Sequence, residues 1–206
     1  GGGNGGGNGG GVGVGAVCIA TNSATPTASK ANICSAYTQL QRSLRNVIPS
    51  DAFERSQLFG TALRLVFHDA GEANLLLTSD RLGPDGCLSN SIDNAGLIEA
   101  TSIMNTVIEP LWQQMCDRIS RADFWVLFGK LIAETAASQP MSIPFQYGRT
   151  DRASCNGGRG RLPNGQGGLE EIDRVLGQQM GLSLDDSVTL LGAHSVGHKH
   201  VDASGY

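Results

Sequence analysis

From Ile33 onward the apolar residues return every third or fourth position, and no sustained stretch alternates apolar with polar residues as a strand would. Such spacing gathers the apolar side chains on one face of a helix, which the chain can bury only by packing helix against helix. Ile33, Tyr37, Leu40, Leu44 and Val47 form a first stripe. Leu97, Thr101, Met104, Ile108, Leu111 and Met115 form a second, which Pro110 can kink or interrupt. Phe124, Leu127, Phe128, Leu131, Ile132 and Thr135 predict a helix buried around much of its circumference, and Leu169, Ile172, Val175 and Leu176 a shorter amphipathic one. Ser183 opens an S-L-D-D capping signal, and the helix that follows is predicted to run through LLGAHSVG. The fold class is therefore all-α. Two Gly-, Pro- and Asn-rich loops, LGPDGCLSN and NGGRGRLPNGQGG, are long enough to carry function rather than merely connect.

The first fifteen residues include eleven glycines, and a Ser-, Thr- and Pro-rich stretch follows. This composition cannot bury enough apolar surface to fold, so residues 1–29 read as a flexible leader and residues 30–206 as a single domain. A matrix-associating segment is the other reading of the glycines. The chain begins with Gly1, so its natural start is expected upstream and no signal peptide can be read. A net charge of -4 and a pI near 5.5 argue against nucleic acid as a partner. The longest dense apolar run, Phe124 to Phe128, falls far short of the ~20 residues a membrane helix needs. Cys18, Cys34, Cys87, Cys116 and Cys155 contain no CxxC pair, which fits disulfides in an oxidising, extracellular compartment.

Chemistry is concentrated at two places. In TALRLVFHDA, Arg64 and His68 stand four residues apart, so a cation and a titratable base share one wall of an otherwise apolar helix, where burying them without purpose is costly. Asp69 is turned roughly 100° away by the helical period and should do different work. In LLGAHSVGHKH, His194 and His198 have the spacing of a two-histidine zinc site, but Ser195 stands where a zinc peptidase places its glutamate. A heme iron needs only one imidazole, and His194 can supply it while His198 and His200 stay solvated or cap the helix end.

RLVFHDA, GPDGCLSNSIDNAGL, RADFWVLFGKLIAETAA, FQYGRTD, LPNGQGG and LLGAHSVGHKH occur in this order in the plant, fungal and bacterial heme peroxidase superfamily, which the chain resembles from about Cys34 to its end. The resemblance implies a helical heme peroxidase fold lacking its C-terminal part, with heme b as cofactor. It makes Arg64 and His68 the distal pair, Asn94 the residue that orients His68, and His194 the iron ligand. Phe67, where the intracellular branch has Trp, resembles the secreted branches, and Pro163 matches a Pro near the heme-edge channel. Those branches also hold Ca²⁺, which implies ligands at Asp69, Gly83 and Asp85 on the distal side and at Ser195 on the proximal side. Cys87 replaces a distal Ser ligand and is a poor donor to a hard cation. The resemblance pairs Cys34 with Cys116 and leaves Cys18 without a partner, while Cys87 can pair with Cys155. It also places an Asp partner for His194 beyond the end of the chain, so weaker heme retention is expected.

The reaction so implied is reduction of hydrogen peroxide with one-electron oxidation of small aromatic donors, by a secreted protein. Manganese oxidation is disfavoured because Gln57, Thr61 and His200 occupy the positions of its three carboxylates. The alternative from another class is a non-catalytic extracellular matrix protein on a degenerate peroxidase scaffold. A zinc site at His194, His198 and His200 would leave Arg64 and His68 unexplained.

Overall fold

The computed structural model describes residues 28–156 and 158–195, and among them it contains helices and loops but no strand. Cys18, His198, His200 and nearly all of the expected leader lie outside the described residues. Helix α1 (Lys30–Val47) starts where the Ser29 hydroxyl accepts the Asn32 N–H at 3.2 Å, and it buries Ile33, Ala36, Leu40 and Leu44. Helix α2 (Ala52–Gly71) is capped in the same way by Asp51, which accepts the Glu54 N–H at 2.9 Å. Its buried stripe runs through Leu58, Ala62, Leu65 and Asp69. That stripe turns Arg64 and His68 to a half-buried flank of the same helix.

The segment from Leu97 to Met115 is less regular than its stripe predicts. A π-helical turn, Met104–Ile108, precedes a short helix α3 (Glu109–Gln113) with Pro110 in its first turn. Pro110 has no N–H to donate back into the preceding turn, and the helix widens just before it rather than bending through it. Met104, Ile108, Leu111 and Met115 nonetheless reach the core.

Helix α4 (Arg121–Ala136) forms the centre of the domain. Ser120 accepts the Asp123 N–H at 3.1 Å, and the Asp151 carboxylate accepts those of Arg121 and Ala122 at 2.9 and 2.8 Å, so three of the amides left over at its start are satisfied. Phe124, Trp125, Leu127, Phe128, Leu131 and Ile132 are all buried, so the helix is buried around much of its circumference as the sequence predicts, although Thr135 near its end is exposed. Helix α4 lies against α2, with Gly129 facing Val66.

Helix α5 (Gly168–Ile172) continues into a π-helical stretch, Asp173–Gln179, that buries Val175 and Leu176. Leu169, expected in that apolar stripe, is 70% exposed, because the widened turns rotate it away from the two residues that pack. Ser183 caps helix α6 (Leu184–Leu191) by accepting the Asp186 N–H at 3.1 Å. Helix α6 tightens into a 3-10 turn, Gly192–Ser195, so His194 does not lie deep in an apolar helix. It is exposed at a helix end.

Cys87 is bonded to Cys155, with their Cα atoms 5.2 Å apart. The expected Cys34–Cys116 pair is not formed. Cys34 is a free thiol on the outer face of α1, opposite the Ile33–Ala36–Leu40 stripe, whereas Cys116 is buried and bonded in a different disulfide.

A Cβ added to Gly129 would run into Val66 Cγ2 and approach Val66 Cβ at 3.3 Å. Gly129→Ala should therefore destabilise the fold by about 1–3 kcal/mol despite Ala's higher helix propensity, and Val66→Ala should restore most of the loss when combined with it. Urea denaturation of the two single variants and the double variant measures both effects.

Candidate active site

The sequence-predicted pair on α2 is brought into direct contact. Arg64 Nε donates to His68 Nε2 at 3.3 Å, and Arg64 Nη2 donates to the Asp93 carbonyl at 3.1 Å. His68 Nδ1 meets Asn94 Oδ1 at 2.8 Å. An amide oxygen only accepts, so the His68 proton resides on Nδ1 and the lone pair on Nε2. The Asn94 amide cannot turn over, because its Nδ2 donates to the Ser89 carbonyl at 2.9 Å and, less well, to Ser89 Oγ at 3.3 Å. Asn94 is fully buried, and the order runs from a loop carbonyl, through an amide, to one ring nitrogen. Phe67 stands edge-on to the His68 ring at 6.0 Å between centroids. Leu162, next to Pro163, closes with Phe67 over Gly71 at the end of α2.

Burial holds the His68 pKa down to about 4, and the neighbouring Arg64 charge pushes it the same way. The hydrogen bond to Asn94 acts against them, and His194 lies near enough that its charge depresses His68 further. His68 is therefore a neutral base at any pH above about 4. Burial also lowers the Arg64 pKa, but a guanidinium remains charged across the working range.

Two participants were not singled out from the sequence. Ser89 supplies the carbonyl that fixes Asn94, and backbone contacts of this kind leave no residue-type signal. Glu72 is buried and accepts from Ser89 Oγ at 3.4 Å. Its position four residues after His68, on the face of Arg64 and His68, was readable from the helical period. Burial raises its pKa.

Asp69 points away from this face, as its register requires, and is 1% exposed. Its carboxylate accepts the backbone N–H groups of Asp85 at 3.3 Å, Gly86 at 3.0 Å and Cys87 at 3.3 Å. Burial pushes its pKa up to about 8 against the pull of those donors, and that of Asp85 is raised to about 6. Asp85 Oδ1 is buried without a hydrogen-bond partner among the described residues. Amide hydrogens rather than oxygens converge on Asp69, the Cys87 sulfur is used in a disulfide, and no group of three or more His, Cys, Asp or Glu suited to a metal occurs among the described residues. Gly83 contributes a left-handed turn at φ 117°. The Ser195 hydroxyl donates to the Gly192 carbonyl at 2.8 Å.

His194 Nδ1 donates to the Leu191 carbonyl at 3.1 Å, leaving Nε2 with its lone pair on an exposed ring. That donor chemistry fits a residue that would hold heme iron, since one free imidazole nitrogen is needed and the other is already oriented by a carbonyl.

Residues 40–205 match the family model described as peroxidase. The chain belongs to the peroxidase family. It is 34% identical over 149 residues to cytosolic L-ascorbate peroxidase 1 of Oryza sativa subsp. indica, covering 70% of this chain and 56% of that relative. A Cryptococcus neoformans protein assigned as a heme-binding peroxidase is 32% identical over 183 residues, 82% of this chain and 55% of its own. L-ascorbate peroxidase 3 of Arabidopsis thaliana is 30% identical over 174 residues, with 82% and 55% covered. This peroxidase chain spans about half the length of the curated relatives it matches. The expected secretion is overturned, since the rice relatives are named as cytosolic. Secretion rested on the cysteine pattern and on Phe67 in place of Trp, and one ring exchanged for another beside His68 alters packing, not compartment.

An imidazole with a lowered folded pKa takes up its proton later than the unfolded chain does. Acidification from the ordinary value of 6.5 towards 4 should therefore cost stability, which is retained above that window. Arg64→Leu removes one of the two main depressing causes, so the His68 titration midpoint should rise from about 4 in that variant. NMR titration of the ring protons checks it, and a wild-type midpoint at 6.5 would contradict the assigned environment.

Proposed function

We propose that this chain is the peroxide-handling part of a heme-dependent peroxidase that reduces hydrogen peroxide and oxidises a small donor by one-electron steps. The observation that carries the reading is the neutral His68, its Nδ1–H fixed on Asn94 and its Nε2 lone pair beside the Arg64 guanidinium. Heme, when bound, supplies the iron that holds the peroxide and the electrons that the donor later restores. His194 Nε2 is the nitrogen that would hold that iron, with Nδ1 steadied by the Leu191 carbonyl.

His68 Nε2 takes the proton from the nearer peroxide oxygen and returns it to the departing one, which leaves as water. A neutral ring is required at the outset, since imidazolium has no lone pair to offer. Arg64 stabilises the negative charge that builds on the departing oxygen, and its bond to the Asp93 carbonyl keeps the guanidinium over the site. Asn94 prevents the proton from moving to the wrong ring nitrogen. Phe67 walls the site with an apolar edge, and Pro163 belongs to the loop that closes against the end of α2.

The donor is taken to be ascorbate rather than the aromatic compounds first expected, and residence cytosolic, because three rice relatives carry both words in their names. A degenerate, non-catalytic scaffold is the weaker reading, as it has no use for a base held so specifically in one tautomer.

Reconstitution with heme tests the assignment. His194→Ala should lose the Soret band, whereas His68→Leu should keep it and react with peroxide at least ~100-fold more slowly, the usual loss on removing a general base. Stopped-flow rates for His68→Leu within threefold of wild type would refute the base. Ascorbate should be oxidised faster than a simple phenol at equal concentration, and the reverse order would return the donor to the aromatic class.

A further inference from the structure

We propose that the Cys87–Cys155 disulfide is a positioning element for His68, acting through Ser89 and Asn94, and that its reduction by a dithiol switches the base out of its working tautomer. The proposal rests on His68 being the proton acceptor. A single residue, Leu88, separates Cys87 from Ser89, whose carbonyl holds the Asn94 amide at 2.9 Å and so decides which nitrogen of His68 carries the proton. Anything that lets Ser89 drift frees Asn94 to rotate, and the imidazole then loses its fixed acceptor.

The segment 85–89 is held by Leu88 in the core, by the Ser89 hydroxyl on Glu72 at 3.4 Å, and by its own main chain. The Asp69 carboxylate takes three of its backbone N–H groups, two of them only at 3.3 Å, and Asp85 O accepts the Arg152 N–H at 2.9 Å. The disulfide is the covalent tie, and it joins residues 68 apart in sequence. Gly86 has little room for adjustment. Its φ is 71°, and a Cβ there would lie 2.7 Å from the Ala122 nitrogen, so the turn is pressed against the start of α4. Loss of the covalent anchor releases Cys87 one residue before Ser89, leaving non-covalent contacts alone to hold the carbonyl that fixes Asn94. Cys87 is buried, but Cys155 is partly exposed, which leaves one sulfur open to attack.

The exchange balances as an ordinary two-electron thiol reaction. A thiolate of the dithiol attacks Cys155 Sγ, the bond to Cys87 breaks, and the departing Cys87 thiolate takes up a proton. The second thiol of the dithiol then displaces Cys155 as a thiol and closes its own disulfide. In a reducing compartment a reachable disulfide of this kind is a regulatory element more often than an inert brace.

The test follows the ring as well as the rate. In the full chain labelled with ¹⁵N histidine, the oxidised protein should show His68 as one tautomer, protonated on Nδ1. After dithiothreitol a substantial Nε2–H population should appear, while helicity by circular dichroism stays unchanged. The heme-loaded chain should react with peroxide about tenfold more slowly after the same treatment, in line with losses on removing outer-shell partners. Cys87→Ser combined with Cys155→Ser, which keeps the other disulfide at Cys116, should show the same Nε2–H population before any dithiothreitol is added. An unchanged tautomer after proven reduction overturns the proposal whatever the activity. If instead the tautomer shifts and the peroxide rate does not, the role of His68 as the base fails, and the switch as a catalytic device falls with it.

Discussion

The 2.8 Å hydrogen bond between His68 and Asn94 is the interaction on which the rest of the site depends. A buried imidazole beside a guanidinium would be neutral in any case, but neutrality alone leaves two tautomers of similar energy. Asn94 selects one, and it can do so only because the Ser89 carbonyl prevents the amide from flipping. The lone pair is thereby aimed at Arg64. A small part of the loop backbone therefore determines the chemical character of a residue on a helix.

The rest of the fold supports this arrangement. Helix α4 is buried nearly all round and packs on α2, so the wall bearing Arg64 and His68 has a rigid backing. Ser120 and Asp151 satisfy the start of α4, and Gly86 brings the distal loop against that same point. Asp69 then ties the loop back to α2 from the other side of the helix. The two carboxylates near the turn, Asp69 and Asp85, are costly to bury, and burial raises both of their pKa values.

Much of this was legible in the sequence, for identifiable reasons. Helices α1 and α4 follow from apolar period and α6 from the cap at Ser183, which are local signals, whereas the caps at Ser29, Asp51 and Ser120 emerge only from the structure. Arg64 and His68 were readable as a pair because four residues on a helix make a fixed geometry. The π-helical turns at Met104–Ile108 and Asp173–Gln179 were not, since period analysis assumes a constant pitch, and Leu169 was misplaced for that reason. The pairing of Cys34 with Cys116 also failed. A family correspondence fixed their sequence positions, but the outward face of α1 decided that Cys34 would not meet a buried partner. Ser89 escaped notice because it acts mainly through its main chain.

Arg64 and His68 occupy one flank of α2, with Glu72 one residue past its end, while Leu58, Ala62, Leu65 and Asp69 occupy the neighbouring flank. The two sets interleave along a single helix, and their separation depends on residue count rather than on the identity of the residues between. One deleted residue before Arg64 would turn the helix by roughly 100° relative to whatever precedes it and present the Asp69 carboxylate where the base belongs, and one inserted residue would turn the His68 imidazole into the buried Asp69 position. In descent, this segment is therefore free to exchange side chains of similar bulk, yet it has almost no freedom in length. Insertions and deletions should instead accumulate in the loops that no hydrogen bond ties to His68.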